Sequence, residues 1–258
     1  MKSNRNPTTY KILDIQALEA SEPESAVKDI EIERPDKVVK CDLLIAGGGM
    51  GAIAAVLSSL LDYFVENGNK RPQKLSICLT EETNWLGGQM TSQGVSALDE
   101  NRLVETSGAS AVYQKLRSEI RDYYLNRFII NRNTATDNRY FNPGNCWVSR
   151  LSFEPKVGLA ILDKFLKPAV DSGCLKIFHR HKAIDATTSR SPDGRIRIKS
   201  VLMVDLDSEK SVEFRPTLCI DATEFGDLLP ICGLKYCSGE DSGAETEEPH
   251  AAETADPE

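Results

Sequence analysis

Apolar residues gather into short runs through the middle of the chain, and their spacing predicts a strand–helix–strand unit. Leu43–Ala46 is an unbroken apolar run, the pattern of a strand buried on both faces. Beyond the glycines that follow, Ile53, Leu57, Leu60, Leu61 and Phe64 recur at i, i+4, i+7, i+8 and i+11, which gives a helix one buried stripe. Asn67-Gly68-Asn69 stops that helix and Arg71-Pro72 continues the connection. Leu75–Thr80 reads as a second strand. Two short strands joined by an amphipathic helix predict a parallel pair with a crossover connection.

Further along, Ser107–Phe128 and Pro155–Val170 read as helices, separated by an Asn-rich polar loop over Asn131–Trp147. Leu175–His179 is strand-like. Ile196–Leu206 and Val212–Ile220 read as antiparallel strands on either side of Asp207-Ser208-Glu209-Lys210, and Ser191-Pro192-Asp193-Gly194 has turn composition. His179 and His181 flank Arg180, so strand alternation would put both on one face. Residues 1–38 mix acidic and basic side chains and read as a poorly ordered extension, with one short helix near Tyr10–Ala20. Residues 239–258 read as an acidic, disordered tail. Between them, 39–238 forms an α/β unit carrying a helical insertion over about 102–172. No internal repeat is evident.

Composition narrows the function classes. The 258 residues are 40% hydrophobic, enough to build a core, while a mean hydropathy of -0.33 marks much of the chain as solvated. A formal charge of -8 without a basic stripe argues against a nucleic-acid partner. No run approaches the roughly 18 apolar residues of a membrane span, and Met1–Pro7 lacks the apolar segment of a secretory signal. A cytoplasmic protein is the expectation. Of the seven cysteines, Cys41, Cys78, Cys174 and Cys219 sit in or beside apolar strand-like runs, where thiols act as small hydrophobes. Cys232 and Cys237 lie close together, but nothing has zinc or iron–sulfur spacing, so no metal is expected.

The chemistry concentrates at strand ends. Gly47-Gly48-Gly49-Met50-Gly51-Ala52 joins the first strand to the helix and follows G-x-G-x-x-A at Gly47, Gly49 and Ala52. The first glycine permits the tight turn and the second lets backbone approach a pyrophosphate. The small third residue lets helix and strand pack closely. The second strand runs into Glu81-Glu82. A carboxylate there can accept hydrogen bonds from both hydroxyls of a ribose, with Glu81 the better placed; the alternative is a solvated acidic pair. Its separation from the glycines exceeds the usual ~20 residues, the excess lying in the polar connection Asn67–Lys74. Gly87 and Gly88, within Trp85-Leu86-Gly87-Gly88-Gln89, give a second place for backbone to press on a ligand. Finally, Asp221-Ala222-Thr223-Glu224-Phe225-Gly226-Asp227 follows a strand. Asp227 either reaches a bound polyol or pyrophosphate, or opens a helix as its cap.

Together these pieces resemble the FAD-dependent oxidoreductase family with a glutathione-reductase-like nucleotide fold, over roughly residues 40–240. The resemblance implies a Rossmann-like FAD-binding domain with a parallel sheet and an antiparallel β segment. It implies FAD as cofactor, with Gly47, Gly49, Ala52, Glu81, Gly87, Gly88 and Asp227 as its binding residues and the backbone near Lys182-Ala183 facing adenine. Two departures stand out. Glu224 and Phe225 occupy positions after Asp-Ala-Thr where the family usually has glycine. The family also usually continues into a substrate domain, which implies an N-terminal portion of a longer member.

The function implied is oxidation or reduction of a small molecule through the flavin, with substrate and catalytic residues unidentified. Asn145–Arg150 and Glu154 are candidates for a substrate pocket, with Arg150 binding an anion. An electron-transfer flavoprotein subunit resembling heterodisulfide reductase is one alternative. A truncated, non-catalytic nucleotide-binding fragment is another. A nicotinamide-dependent dehydrogenase fits the Gly-Gly and Gly-Asp segments less well.

Overall fold

The computed structural model describes residues 7–17, 19, 21–65, 75–128 and 140–256, with the side chains of 61–65 outside the description. The expected helix stop at Asn67-Gly68-Asn69, the Arg71-Pro72 connection, the side chains of Leu61 and Phe64, and 131–139 of the polar loop therefore lie outside the described residues. Among the described residues the order is β1 (Thr8–Leu13), a 3-10 turn at Pro23–Ala26, β2 (Val27–Ile32), β3 (Lys37–Ala46), α1 (Met50–Val65) and β4 (Ile77–Glu81). Then come α2 (Ala111–Arg127), α3 (Pro155–Asp171), β5 (Leu175–His179), β6 (His181–Arg190), β7 (Ile196–Asp205), β8 (Ser211–Asp221), α4 (Leu228–Ile231) and α5 (Gly243–Thr246).

Six strands form one sheet in the order β5-β4-β3-β8-β7-β6. β3 runs parallel to β4 and β8, and β4 parallel to β5, whereas β7 is antiparallel to both β8 and β6. The predicted parallel pair and the antiparallel pair are both present, and the fold is the mixed α/β arrangement read from the sequence. β3 is longer than its apolar run because Lys37–Cys41 also pairs with β8. At Asp42 and Leu43 two successive amides converge on the Ser76 carbonyl, at 2.9 and 3.2 Å. Cys41 and Leu44 consequently share one core while Leu43 and Ile45 enter the other.

The larger core lies between β3, β4 and the helices: Ile45 and Leu79 pack with Ile53, Val56 and Leu60 of α1, Ile161 and Leu162 of α3, and Ile120 of α2. The second core holds Leu44, Cys78, Val201, Met203 and Phe214. The rings of Phe178 (β5) and Phe214 (β8) meet edge-on at 5.0 Å across the face of the two strands between them. Helix α2 begins at Ala111, later than its polar pattern predicts, because the Ser110 hydroxyl accepts from the Tyr113 amide at 3.3 Å as its cap.

Two sequence expectations are corrected. Thr8–Leu13 and Val27–Ile32 pair as an antiparallel ribbon, with strand rather than helix at Thr8–Leu13. Ile12, Ile30 and Ile32 form its apolar face and bury against Val204 and Leu206 of the main sheet. Isolated bridges join Glu240 to Asp256 and Ser242 to Ala252. His179 and His181 do not share a strand face, because Arg180 between them adopts φ 60 and turns the chain from β5 into β6.

Candidate functional site

The chain leaves the carboxyl end of β3 toward β4 on one side, and β8 flanks β3 on the other. This is a topological switch point, where open α/β sheets leave a crevice above the strand ends. Three of the motifs read from the sequence converge there. Gly47–Gly49 follows β3, Glu81 ends β4, and Ala222–Asp227 follows β8. A narrow cleft of about 20 Å³, open to solvent, is lined by Gly47, Gly48, Glu82, Lys182, Glu224 and Asp227 among others. A second cleft of about 360 Å³ adjoins it, sharing Glu82 and Glu224 and reaching Glu81, Trp85 and Ser92.

The glycine turn is shaped by its neighbours. Gly47 has φ 96 and lies so close to the Ala222 carbonyl that any Cβ would collide with it. The Gly48 carbonyl accepts from the Gly87 amide at 2.8 Å, coupling the first glycine run to the second. Gly49 opens the helix: its carbonyl accepts from Ile53, and no acidic side chain occupies the first turn of α1. The first-turn amides of a helix have no intrahelical acceptor and suit an anion. Ala52 is fully buried against β3, as a small third residue requires. Gly88 approaches Gly49 closely, a Cβ on it falling 3.1 Å from the Gly49 Cα. Gly87 has a different reason to be glycine. It has φ 109, and its Cβ would strike Thr91 and Leu162, so protein packing alone demands it.

Glu81 is the last residue of β4 and is 7% exposed. Its Oε1 accepts from the Thr83 amide at 2.8 Å. Burial pushes its carboxyl above the ordinary range, partly offset by hydrogen bonds from the backbone of Thr83 and Gly48. Glu82, like Glu224, lines both clefts, and its Oε2 pairs with Lys182 Nζ at 2.5 Å. Lys182 enters through its side chain, where the sequence pointed only to backbone.

The turn after β8 is built by Asp221. Its Oδ1 accepts from the Thr223 amide at 3.1 Å and hydroxyl at 2.7 Å, and its Oδ2 from the Leu228 amide at 3.0 Å. Thr223 Oγ1 in turn accepts from the Asp227 amide at 2.7 Å. Asp227 precedes the short helix α4 but makes no capping hydrogen bond with its side chain. Its half-buried carboxyl is raised by burial, lowered by Lys182, and raised again by Glu82 and Asp221. Glu224, at a position noted only as a departure, places its carboxylate over both glycine runs: a Cβ on Gly49 would lie 2.9 Å from Oε1, and one on Gly88 2.6 Å.

The loop Asn145–Arg150 is elsewhere. Cys146, Trp147, Ser149 and Arg150 line a separate cleft with Glu100 and Glu105, which shares no lining residue with the clefts at the glycine turn. Trp147 is 95% exposed. Cys232 is buried and Cys237 exposed, both as free thiols. Among the described residues no group of three or more His, Cys, Asp or Glu is arranged to hold a metal, and no helix is long and apolar enough to cross a membrane.

Comparison with curated proteins finds no significant match. Among solved structures, the chain is similar to adenylylsulfate reductase from Archaeoglobus fulgidus (18% identity, TM-score 0.45, covering 74% of this chain and 31% of that one). It is also similar to L-proline dehydrogenase from P. horikoshii (17%, TM-score 0.34, 75% and 24%). A third is glycerol-3-phosphate dehydrogenase from Bacillus halodurans complexed with FAD (11%, TM-score 0.42, 79% and 37%). The chain thus spans well under half the length of each. A family model described as FAD dependent oxidoreductase matches residues 42–256, from within β3 to beyond α5, and takes in the glycine turn, Glu81 and the Asp221–Asp227 segment. With that match over most of its length, the chain belongs to the FAD dependent oxidoreductase family, whose cofactor is FAD.

Proposed function

We propose that the switch-point crevice is the FAD site of a flavin-dependent oxidoreductase acting on a small molecule. One observation carries this reading: the glycine turn, the acid-bearing end of β4 and the Asp221–Asp227 turn stand at the carboxyl ends of three neighbouring strands, around one crevice. Gly49, Gly88 and the first turn of α1 form a cradle for the pyrophosphate, kept open because a Cβ at either glycine would fill it. Gly47 and Gly87 hold the two runs in shape, and Ala52 lets α1 pack near β3. Glu81, with Glu82 beside it, receives the adenosine ribose hydroxyls. Asp227 faces the polyol, and the strand at Lys182-Ala183 offers backbone to adenine. The unit doing this is 39–238, with the insertion at about 102–172 above the sheet.

The residues fit the group. A pyrophosphate needs amides without acceptors and close backbone, and sugar hydroxyls need carboxylates; the crevice supplies both. When bound, FAD supplies the redox chemistry itself, taking an electron pair from a reduced substrate and passing it on. The chain's own residues bind and orient it, and Lys182 offsets part of the negative charge that Glu82 and Asp227 bring to the cleft. The glutathione-reductase-like variant of the nucleotide fold belongs to this reading.

The test is the flavin content of the protein. Purified in the presence of FAD and desalted, it should retain about one flavin per chain, and Glu81→Ala should weaken that binding at least roughly tenfold. A colourless protein that takes up no FAD in a calorimetric titration would overturn the reading and leave a non-binding fragment in its place.

A further inference from the structure

The family match begins within β3, so it leaves out the ribbon of β1 and β2. That ribbon nevertheless reaches the crevice. Ile15 and Gln16, just past β1, line the larger cleft opposite Glu81, Glu82 and Trp85. The Gln16 side-chain carbonyl accepts from the Asn84 amide at 2.8 Å. Asp14, fully buried, grips Arg180 with both oxygens, accepting from Nη1 at 2.8 Å and from Nη2 at 2.5 Å. Nη1 of Arg180 also donates to the Glu82 carbonyl at 3.0 Å, and the Arg180 amide to the Thr83 carbonyl at 3.4 Å. The turn 82–84 is therefore held from the ribbon by two routes, one through Arg180 and one through Gln16.

We propose that the ribbon is part of the nucleotide site, with Asp14 and Gln16 as positioning residues that fix the turn 82–84, and with it Glu81 and Glu82, against the adenosine end of the bound dinucleotide. This rests on the FAD reading above. A purely structural purpose explains the clamp poorly. The ribbon is already docked by Ile12, Ile30 and Ile32 against Val204 and Leu206. A buried ion pair adds little net stability over an apolar pair and serves mainly to select one geometry. The geometry selected here is that of the turn next to the proposed ribose acid.

The experiment compares FAD affinity and melting temperature for wild type, Asp14→Asn, Gln16→Ala and Tyr10→Phe. Tyr10 ties the same ribbon to Asp185 at 2.9 Å, away from the turn. Asp14→Asn and Gln16→Ala should each weaken FAD binding, by about tenfold for Asp14→Asn, while Tyr10→Phe leaves affinity unchanged. In a Glu81→Gln background the effect of Asp14→Asn on affinity should largely vanish, whereas its effect on melting persists. Gln16 is exposed, so its variant decides the matter if Asp14→Asn fails to fold. Wild type that binds FAD, with both variants equal to it, would show the ribbon to be a bystander. Wild type that binds no FAD would overturn the FAD reading and this assignment together.

Discussion

Glu81 is pressed against the backbone of Gly48, so closely that a Cβ on the glycine would sit 2.6 Å from Oε2. The end of β4 and the turn after β3 are thereby one unit, and the acid's ionisation is coupled to the shape of the turn. Burial raises its folded-state pKa. A carboxyl whose folded pKa lies above its unfolded value binds protons more tightly in the native state, so stability declines as pH rises from the unfolded value through the folded one. Glu81→Gln removes this penalty and retains an oxygen for the Thr83 amide. Thermal melts of the two proteins without FAD should therefore diverge in favour of the variant as pH rises above the usual carboxylate range. A difference independent of pH would show that Glu81 titrates normally. In FAD titrations at neutral pH the order should reverse, with the variant binding more weakly.

The glycines should separate by environment. Gly47→Ala forces a side chain at φ 96 into the Ala222 carbonyl, a backbone clash, and should cost both stability and FAD binding. Gly49→Ala meets only the movable end of Glu224, at 2.9 Å, so it should fold like wild type while losing FAD affinity through the filled cradle. Gly51→Ala meets nothing within 4 Å on an exposed helix position and should stabilise by about 0.5–1 kcal/mol through helix propensity, with FAD binding unchanged. Melting and flavin titration on the three variants check the series, and equal losses in all three would argue against a local cradle.

The strand–helix–strand core was legible because Leu43–Ala46 of β3 and the whole of β4 are buried and mostly apolar, and α1 shows one stripe. The glycine turn was legible because it sits between them. The ribbon was not, since Thr8–Leu13 and Val27–Ile32 bury only Ile12, Ile30 and Ile32 and surround them with charged residues. A one-sided strand of six residues with so few apolar positions reads as polar chain. The side chains of Lys182 and Gln16 escaped notice for another reason. Each reaches the crevice from an element distant in sequence, and only the register of β6 and the path of the ribbon bring them there. Gly87 was recognised as special from its sequence context, but the packing of Thr91 and Leu162 against it was not legible there.

Stability in acid should depend on a buried ion network centred on α2 within the insertion. Arg117, fully buried, donates to Glu100 at 2.8 Å and to Glu105 at 2.7 Å, and Arg121 also reaches Glu105 at 2.7 Å. Burial alone would raise Glu105, but hydrogen bonds from Arg117 and Arg121 outweigh it and hold the carboxyl at about 2. A depressed folded pKa stabilises above the unfolded value, and that stability is lost as pH falls from 4.5 toward about 2. Its size is on the order of 3 kcal/mol. Urea unfolding across that window should show the loss in wild type and a smaller one in Glu105→Gln. Arg117→Met leaves Glu100 without its ion-pair partner and Glu105 with Arg121 alone, and should lower the melting temperature by roughly 10 °C at neutral pH.

Glu224 should oppose FAD binding, since its carboxylate lies over Gly49 and Gly88, where the proposed site puts pyrophosphate oxygens. Two anions cannot share that space, so FAD binding must swing the exposed side chain aside or hold it near the phosphates. In either case the negative charge opposes the ligand, by about 1 kcal/mol for unit charges 4 Å apart in water and more where solvent is scarce. Glu224→Gln keeps the size and removes the charge, so FAD should bind about five- to tenfold more tightly at low salt, with the gain shrinking as ionic strength rises. Glu224→Ala should gain as much or more, since it also clears the space. Titrations of both variants at two salt concentrations separate the effects. A gain in the alanine variant alone would mean the side chain obstructs by volume, and weaker binding in both would mean that Glu224 moves to hold the cofactor.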